Sequence, residues 1–217
     1  DSPSFGLRVA ERVRAGNPSI RTIHYVAPSV WAWRPGRAAH MARFVDHVLA
    51  LLPFEPPWME AAGMTCDFVG HPAAESAPPC PTETAALRAR LGLADRAPLL
   101  LVAPGSRKGE VRRMVPIFAE VTSRLADALE GLQTVVPVGE GVAAELPGLL
   151  EGMRPTPALV TPEMGEAAKR AAFAAAEAGL VTSGTVSLEV AAAGTAHVSC
   201  YRTSWLTAAI ARRLIRV

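Results

Sequence analysis

Short apolar runs recur along this chain, and each is followed by a turn and then by a helix-length amphipathic segment. That alternation limits the fold more than any single residue does. Runs read as "TIHYVAP" (22–28), "HVLALLPF" (47–54), "CDFVG" (66–70), "PLLLVA" (98–103), "QTVVPV" (133–138), "PALVT" (157–161), "GLVT" (179–182) and "AHVSC" (196–200). Strands separated by helix-length crossovers pair in parallel, so the pattern predicts an α/β fold rather than a sandwich or a bundle. "TIHYVAP" and "PLLLVA" both read as buried strands, the second fully apolar. Helices are expected where Phe5, Val9 and Val13 recur on one face. Others are expected from about Pro35, with Ala38, Met41 and Val45 turned inward, around Trp58–Ala62, over about 83–91, and through about 110–127, with Pro116 a point where it could kink or restart.

The alternation is interrupted once, at "GHPAAESAPPCPTE" (70–83). Its prolines fit neither a central strand nor a helix interior. The predicted organisation is therefore two Rossmann-like domains: 1–75, a Pro-rich linker with a first helix over 76–97, and 98–217. A cleft is expected where the C-terminal edges of two such sheets meet, since open α/β sheets bind ligands there.

Composition removes several function classes. Half of the 217 residues are hydrophobic and 19% are charged, which is globular. A net charge of +2 gives no footprint for nucleic acid. Cys66, Cys80 and Cys200 form neither a disulfide framework nor a metal spacing, which suits a reducing cytoplasm. His24, His40, His47, His71 and His197 share no ligand spacing. No apolar run is long enough to span a bilayer, because Lys169, Arg170 and Glu177 interrupt the Ala-rich segment 167–180. The chain opens on "DSPSFG" without an initiator Met or a signal-peptide pattern, and is expected to be an internal fragment of a longer protein.

Four stretches could carry chemistry. In "LLLVAPGSRKGEVRRM" (99–114) a strand ends in Gly105, Ser106 and Arg107 and enters a helix. Gly105 lets the backbone turn sharply, the helix start offers free N–H groups, and Arg107 adds a bidentate cation suited to phosphate. A plain strand-to-helix turn with a solvated Arg would have the same sequence. In "LVTSGTVSLEVAAAG" (180–194), Ser183, Gly184 and Thr185 form a second such turn. Glu189 follows too late for a capping box, so it either favours the helix start or accepts ribose hydroxyls. In "YVAPSVWAWRPGR" (25–37), alternation along an extended segment would put Trp31 and Trp33 on one side, beside Arg34 and Arg37. They are either an aromatic plug or a wall for a sugar and a phosphate. Asp1, just before a helix start, could be a general base. The last segment, "SWLTAAIARRLIRV" (204–217), reads as a basic amphipathic helix that covers a sheet or lies on an anionic bilayer.

Taken in order, "HYVAPSVWAWRPGR", "LLPFE", "FVGHP", "APGSRKGEV", "TSGTVSLE" and "CYRTSWL" resemble the bacterial lipid-A-disaccharide synthase family over essentially the whole chain. The resemblance implies a GT-B-fold glycosyltransferase of lipopolysaccharide biosynthesis, metal-independent and without a cofactor. It implies UDP-2,3-diacylglucosamine as donor and 2,3-diacylglucosamine 1-phosphate (lipid X) as acceptor. The products are a β-1,6-linked disaccharide 1-phosphate and UDP, with inversion at the anomeric carbon. By the same resemblance Arg107 and the turns Gly105–Ser106 and Ser183–Gly184–Thr185 belong at the diphosphate, Glu189 at the ribose, and Asp1 is the base. Trp31, Trp33, Arg34 and Arg37 fall on the acceptor side. The opening segment departs from the family's D-x-P-D-F-N pattern, with Ser4 and Gly6 in place of Asp and Asn. The implied location is cytoplasmic, peripheral on the inner membrane, with a homodimer expected for the full-length protein. Other UDP-sugar GT-B enzymes, such as an N-acetylglucosaminyltransferase or a UDP-sugar epimerase, and a non-catalytic nucleotide-binding module remain the alternatives.

Overall fold

A computed structural model of the chain describes residues 3–75, 78–203 and 208–209. They form two compact units, the first ending at Pro72 and the second covering Ala73–Thr203. Both are α/β with parallel strands, as the alternation predicts.

The first unit runs α1 (Pro3–Gly16), β1 (Ile23–Tyr25), α2 (Gly36–Met41), β2 (His47–Ala50), α3 (Pro56–Glu60) and β3 (Thr65–Phe68). Its sheet has the order β1-β2-β3. One apolar cluster, including Met41, Phe44, Val48 and Met59, packs this unit. Ala38, Met41 and Val45 point inward as their spacing predicts. Two expectations fail here. "TIHYVAP" is not a buried strand: among the described residues β1 pairs with β2 alone, and Ile23 and Tyr25 are more than half exposed. On α1 the buried residue is Leu7, whereas Phe5 and Val9 face outward. Periodicity located the helix but not the face it buries. The run 47–54 is also shorter as a strand, because the Glu55 carboxylate accepts the N–H groups of Leu51 and Leu52 (3.2 and 3.0 Å) and turns the chain there. At the other end of β2, Asp46 Oδ2 accepts the N–H of Thr22 at 2.7 Å and pairs with Arg14, tying α1 to the sheet.

The second unit runs α4 (Pro81–Arg90), β4 (Leu99–Ala103), α5 (Lys108–Ala128), β5 (Gln133–Pro137), α6 (Leu146–Leu149), β6 (Ala158–Val160), α7 (Gly165–Ala175), β7 (Ala178–Thr182), α8 (Thr185–Ala192) and β8 (His197–Cys200). The sheet order is β6-β5-β4-β7-β8, parallel throughout. The central strand β4 is buried along its whole length. Its side chains alternate between two cores, as strand geometry requires. Leu100 and Val102 join Val111, Met114, Val115 and Phe118 of α5. Leu99, Leu101 and Ala103 join Ala172 and Phe173 of α7 and Leu87 of α4. α5 continues through Pro116 as one helix. α4 starts at Pro81 because Cys80 and Glu83 cap it reciprocally, with Pro at the first helical position where a missing N–H costs nothing.

Asp1 lies outside the described residues, as does the helix expected over 204–217 apart from Ala208 and Ala209. Among the described residues no helix is long and apolar enough to cross a membrane.

Candidate functional site

In the second unit the chain leaves β4 toward one flank of the sheet and returns through β7 on the other. The order β6-β5-β4-β7-β8 therefore reverses direction between β4 and β7. At such a switch point the two following loops diverge and leave a crevice beyond the strand ends. A pocket of about 540 Å³ opens there, lined from the ends of β4, β5, β6 and β7. Both glycine turns singled out in the sequence line it: Gly105, Ser106 and Arg107 on one side, Ser183, Gly184, Thr185 and Glu189 on the other.

The β4–α5 turn depends on Gly105. Its φ of +116° is a region L side chains rarely adopt, and a Cβ there would sit 2.9 Å from the Cβ and Oε2 of Glu110. Arg107 is the N-cap of α5 and offers no side-chain cap. The capping role falls to Glu110 in the first turn, whose Oε2 accepts the Ser106 N–H at 3.4 Å and whose Oε1 accepts from Arg107 Nη1 at 2.7 Å. That bond raises the Arg107 guanidinium above its ordinary pKa. The Arg107 side chain is still 80% exposed, so it can meet a ligand without unfolding anything. On the far side Gly139 and Gly141 come close to Ser106; a Cβ on Gly141 would lie 3.1 Å from the Ser106 carbonyl oxygen.

The β7–α8 turn is built from Ser183 and Gly184, with Gly184 as the N-cap of α8. The Ser183 N–H donates to the Cys200 carbonyl at 2.8 Å, which fixes the turn against β8. Thr182, the last residue of β7, has its hydroxyl buried without a hydrogen-bond partner among the described residues. Glu189 projects from α8 and is partly buried, with its Oε2 2.9 Å from Lys169 Nζ of α7. Burial draws the Lys169 ammonium pKa down, but its bond to Glu189 and the charges of Glu189 and Glu166 outweigh that and hold it above the ordinary lysine value.

Two cations, Arg107 and Lys169, and four carboxylates, Glu110, Glu140, Glu166 and Glu189, thus line the pocket. Anionic groups of a ligand can be met by Arg107 and by the N–H groups at the starts of α5 and α8. Carboxylates suit hydroxyls.

In the first unit, 28–33 does not form the extended segment that would align the two tryptophans. The N–H groups of Ala32 and Trp33 both donate to the Ser29 carbonyl at 3.2 Å, closing a turn that sends the rings different ways. Trp31 is half-buried and packs edge-on against Phe54, ring centres 5.2 Å apart. Trp33 is exposed, with the Arg34 guanidinium 4.4 Å and the Arg37 guanidinium 5.9 Å from its ring centre. Val26 and Arg34 take positive φ angles of 76° and 54° in this same stretch, strain that surrounding structure must hold in place.

Glu110, Gly139, Glu140, Glu166 and Lys169 also line the pocket, and sequence reading did not single them out. The "VGEG" after β5 carried a usable signal, a glycine turn leaving a strand end like the other two. Lys169 carried none, since its place beside Glu189 exists only once α7 packs on α8.

A family model described as lipid-A-disaccharide synthetase matches residues 1–217. The lipid-A-disaccharide synthase of Ruegeria pomeroyi is 52% identical over 222 residues, covering 100% of this chain and 55% of that protein. That of Rhodospirillum centenum is 46% identical over 217 residues, covering 100% of this chain and 53% of that protein. The chain thus spans about half the length of the curated relatives it matches. Among solved structures, a putative UDP-N-acetylglucosamine 2-epimerase from Listeria monocytogenes aligns over 95% of this chain and 64% of its own, with a TM-score of 0.57 and 13% identity. At that identity the likeness is one of fold.

Proposed function

The chain belongs to the lipid-A-disaccharide synthase family, and on that premise we propose that the full-length protein is a glycosyltransferase that builds the lipid A disaccharide. It takes 2,3-diacylglucosamine from its UDP derivative and joins it to 2,3-diacylglucosamine 1-phosphate through a β-1,6 bond, releasing UDP. The observation that carries this reading is the pocket at the β4/β7 switch point, with Arg107 and two helix starts on its rim.

The chemistry follows from these parts. Asp1 takes the proton of the acceptor 6-hydroxyl as its oxygen attacks the anomeric carbon, and the bond to the UDP oxygen breaks on the opposite face, which inverts the centre. A positioned base of this kind is typically worth about 10²–10⁴ in rate. The negative charge that develops on the departing diphosphate meets Arg107 and the N–H groups at the starts of α5 and α8, which are fixed before the reaction and need no reorganisation. Glu189 accepts the ribose hydroxyls. On the acceptor side, Arg34 and Arg37 supply cations for the 1-phosphate, and Trp33 offers its face to the sugar. Exposed Trp33, Phe54 and Trp58 in the first unit suit an enzyme whose two substrates carry acyl chains and are reached at a membrane surface.

The test is calorimetric titration of UDP into the full-length protein, together with an assay of transfer from the diacylated UDP-sugar. Saturable UDP binding with transfer to lipid X supports the reading. UDP binding with transfer only of unacylated sugar, or with none, rejects it.

A further inference from the structure

Lys169 stands on α7, outside both glycine turns, yet it reaches the pocket wall. Its ammonium lies 2.9 Å from Glu189 Oε2 and 3.3 Å from Glu166 Oε2, and 5.7 Å from the centre of the Phe173 ring. Phe173 is a fully buried core residue, so the lysine is backed by a rigid surface. Glu189, by contrast, comes from α8 with a flexible side chain that would lose rotamer freedom whenever it engaged a ligand.

Resting on the nucleotide reading above, we propose that Lys169 is a positioning residue for Glu189. It holds one carboxylate oxygen, Oε2, so that the other, Oε1, is kept in place for the vicinal hydroxyls of the nucleotide's ribose. It thereby sets the pocket's preference for a ribose diol. The pair also solves an electrostatic problem. An unpaired carboxylate beside a diphosphate would repel the ligand, and the ammonium cancels that charge without spending the free oxygen. Lys169 is a poor candidate for the phosphate itself, because two carboxylates already claim its donors. Its raised pKa keeps it charged throughout the neutral range.

The experiment compares UDP with 2′,3′-dideoxy-UDP as calorimetric ligands of the full-length protein and of its Lys169→Met, Lys169→Arg and Glu189→Gln variants. The wild type is expected to favour UDP by about tenfold or more, the scale of a hydrogen bond to a charged group. Lys169→Met should reduce that preference to below about threefold, on top of a loss common to both nucleotides from the uncancelled Glu189 charge. Lys169→Arg should keep most of the preference. Once Glu189→Gln is present, adding Lys169→Met should change the preference no further, because the two residues act as one unit. Lys169→Gln carries the same expectation and replaces Lys169→Met if that variant does not fold.

Equal weakening of both nucleotides by Lys169→Met would mean a phosphate contact or a purely structural role, and overturns the inference alone. A preference that survives the substitution also overturns it alone. A wild type that binds UDP without preferring it over the dideoxy ligand overturns the ribose role of Glu189 and this inference with it. A wild type that binds neither ligand overturns the nucleotide reading itself.

Discussion

The two units share parallel strands and helical crossovers, but they differ in what stands at the candidate positions. In the second unit the candidate wall combines two glycine turns, at Gly105 and Gly184, that lead into helix starts, with the charged side chains of Arg107, Lys169 and four glutamates. In the first unit it is side chain: Trp31, Trp33, Arg34 and Arg37 crowd one turn, and strain falls on Val26 and Arg34 rather than on glycine. The cores differ in the same direction. Among the described residues the second sheet is sandwiched between two apolar layers, while the first carries one cluster with Ile23 and Tyr25 of β1 exposed. If the proposed roles hold, a diphosphate that is much the same in every nucleotide would meet backbone N–H groups with Arg107, and a particular acceptor would meet side chains that can vary.

That contrast can be tested in order of expected effect. Phe118→Ala opens a cavity in the second unit and should cost about 3–5 kcal/mol, and Met41→Ala in the first about 2–5 kcal/mol. Tryptophans 31, 33 and 58 all stand in the first unit. In denaturant titrations of the chain carrying Trp205→Phe, which leaves only those three fluorophores, Phe118→Ala should therefore shift the circular-dichroism transition more than the fluorescence transition, and Met41→Ala the reverse. Coincident shifts would mean that the units unfold as one. Next, Arg107→Ala in the full-length protein should lower transfer turnover by about 10²–10³. Its melting temperature should hold, given the exposed side chain; near-normal turnover would remove Arg107 from the diphosphate.

Smaller effects sharpen the division between backbone and side chain. Gly105→Ala should cost about 1–3 kcal/mol through its positive φ and weaken UDP binding. Trp33→Ala should leave UDP binding intact and weaken the acceptor, read as a raised KM for lipid X. The smallest effect is acid dependence in the first unit. The hydrogen bond from the Thr22 N–H, and after it Arg14, hold Asp46 below its ordinary value of 3.8. Its contribution is therefore complete above about pH 4 and fades as pH falls toward the lowered folded value. Asp46→Asn should flatten the stability profile in that acid window and leave the neutral-to-basic profile parallel to the wild type.

The parts of this fold legible in the sequence are those set by local chemistry. "PLLLVA" reads as a fully apolar strand and is buried along its length, and the glycine turns at 105 and 184 follow strand ends as expected. "TIHYVAP" misled because hydrophobicity does not say whether other elements cover a strand. The tryptophan pair misled because alternation applies only while the chain stays extended, and the Ser29 carbonyl folds it back. Lys169 read as a charge interrupting an alanine-rich helix; its meaning lies in α7 meeting α8. Asp1, the expected base, falls outside the described residues, so its role rests on the family alone.

The pocket's excess of carboxylates has a consequence for what it will ignore. Free phosphate and pyrophosphate bring charge but no sugar, and would face Glu110, Glu140, Glu166 and Glu189 with nothing to offer them. A sugar nucleotide brings hydroxyls to satisfy carboxylates together with the anion to satisfy Arg107. On the nucleotide reading proposed above, such a lining would weaken a bare anion relative to a ligand that brings hydroxyls as well.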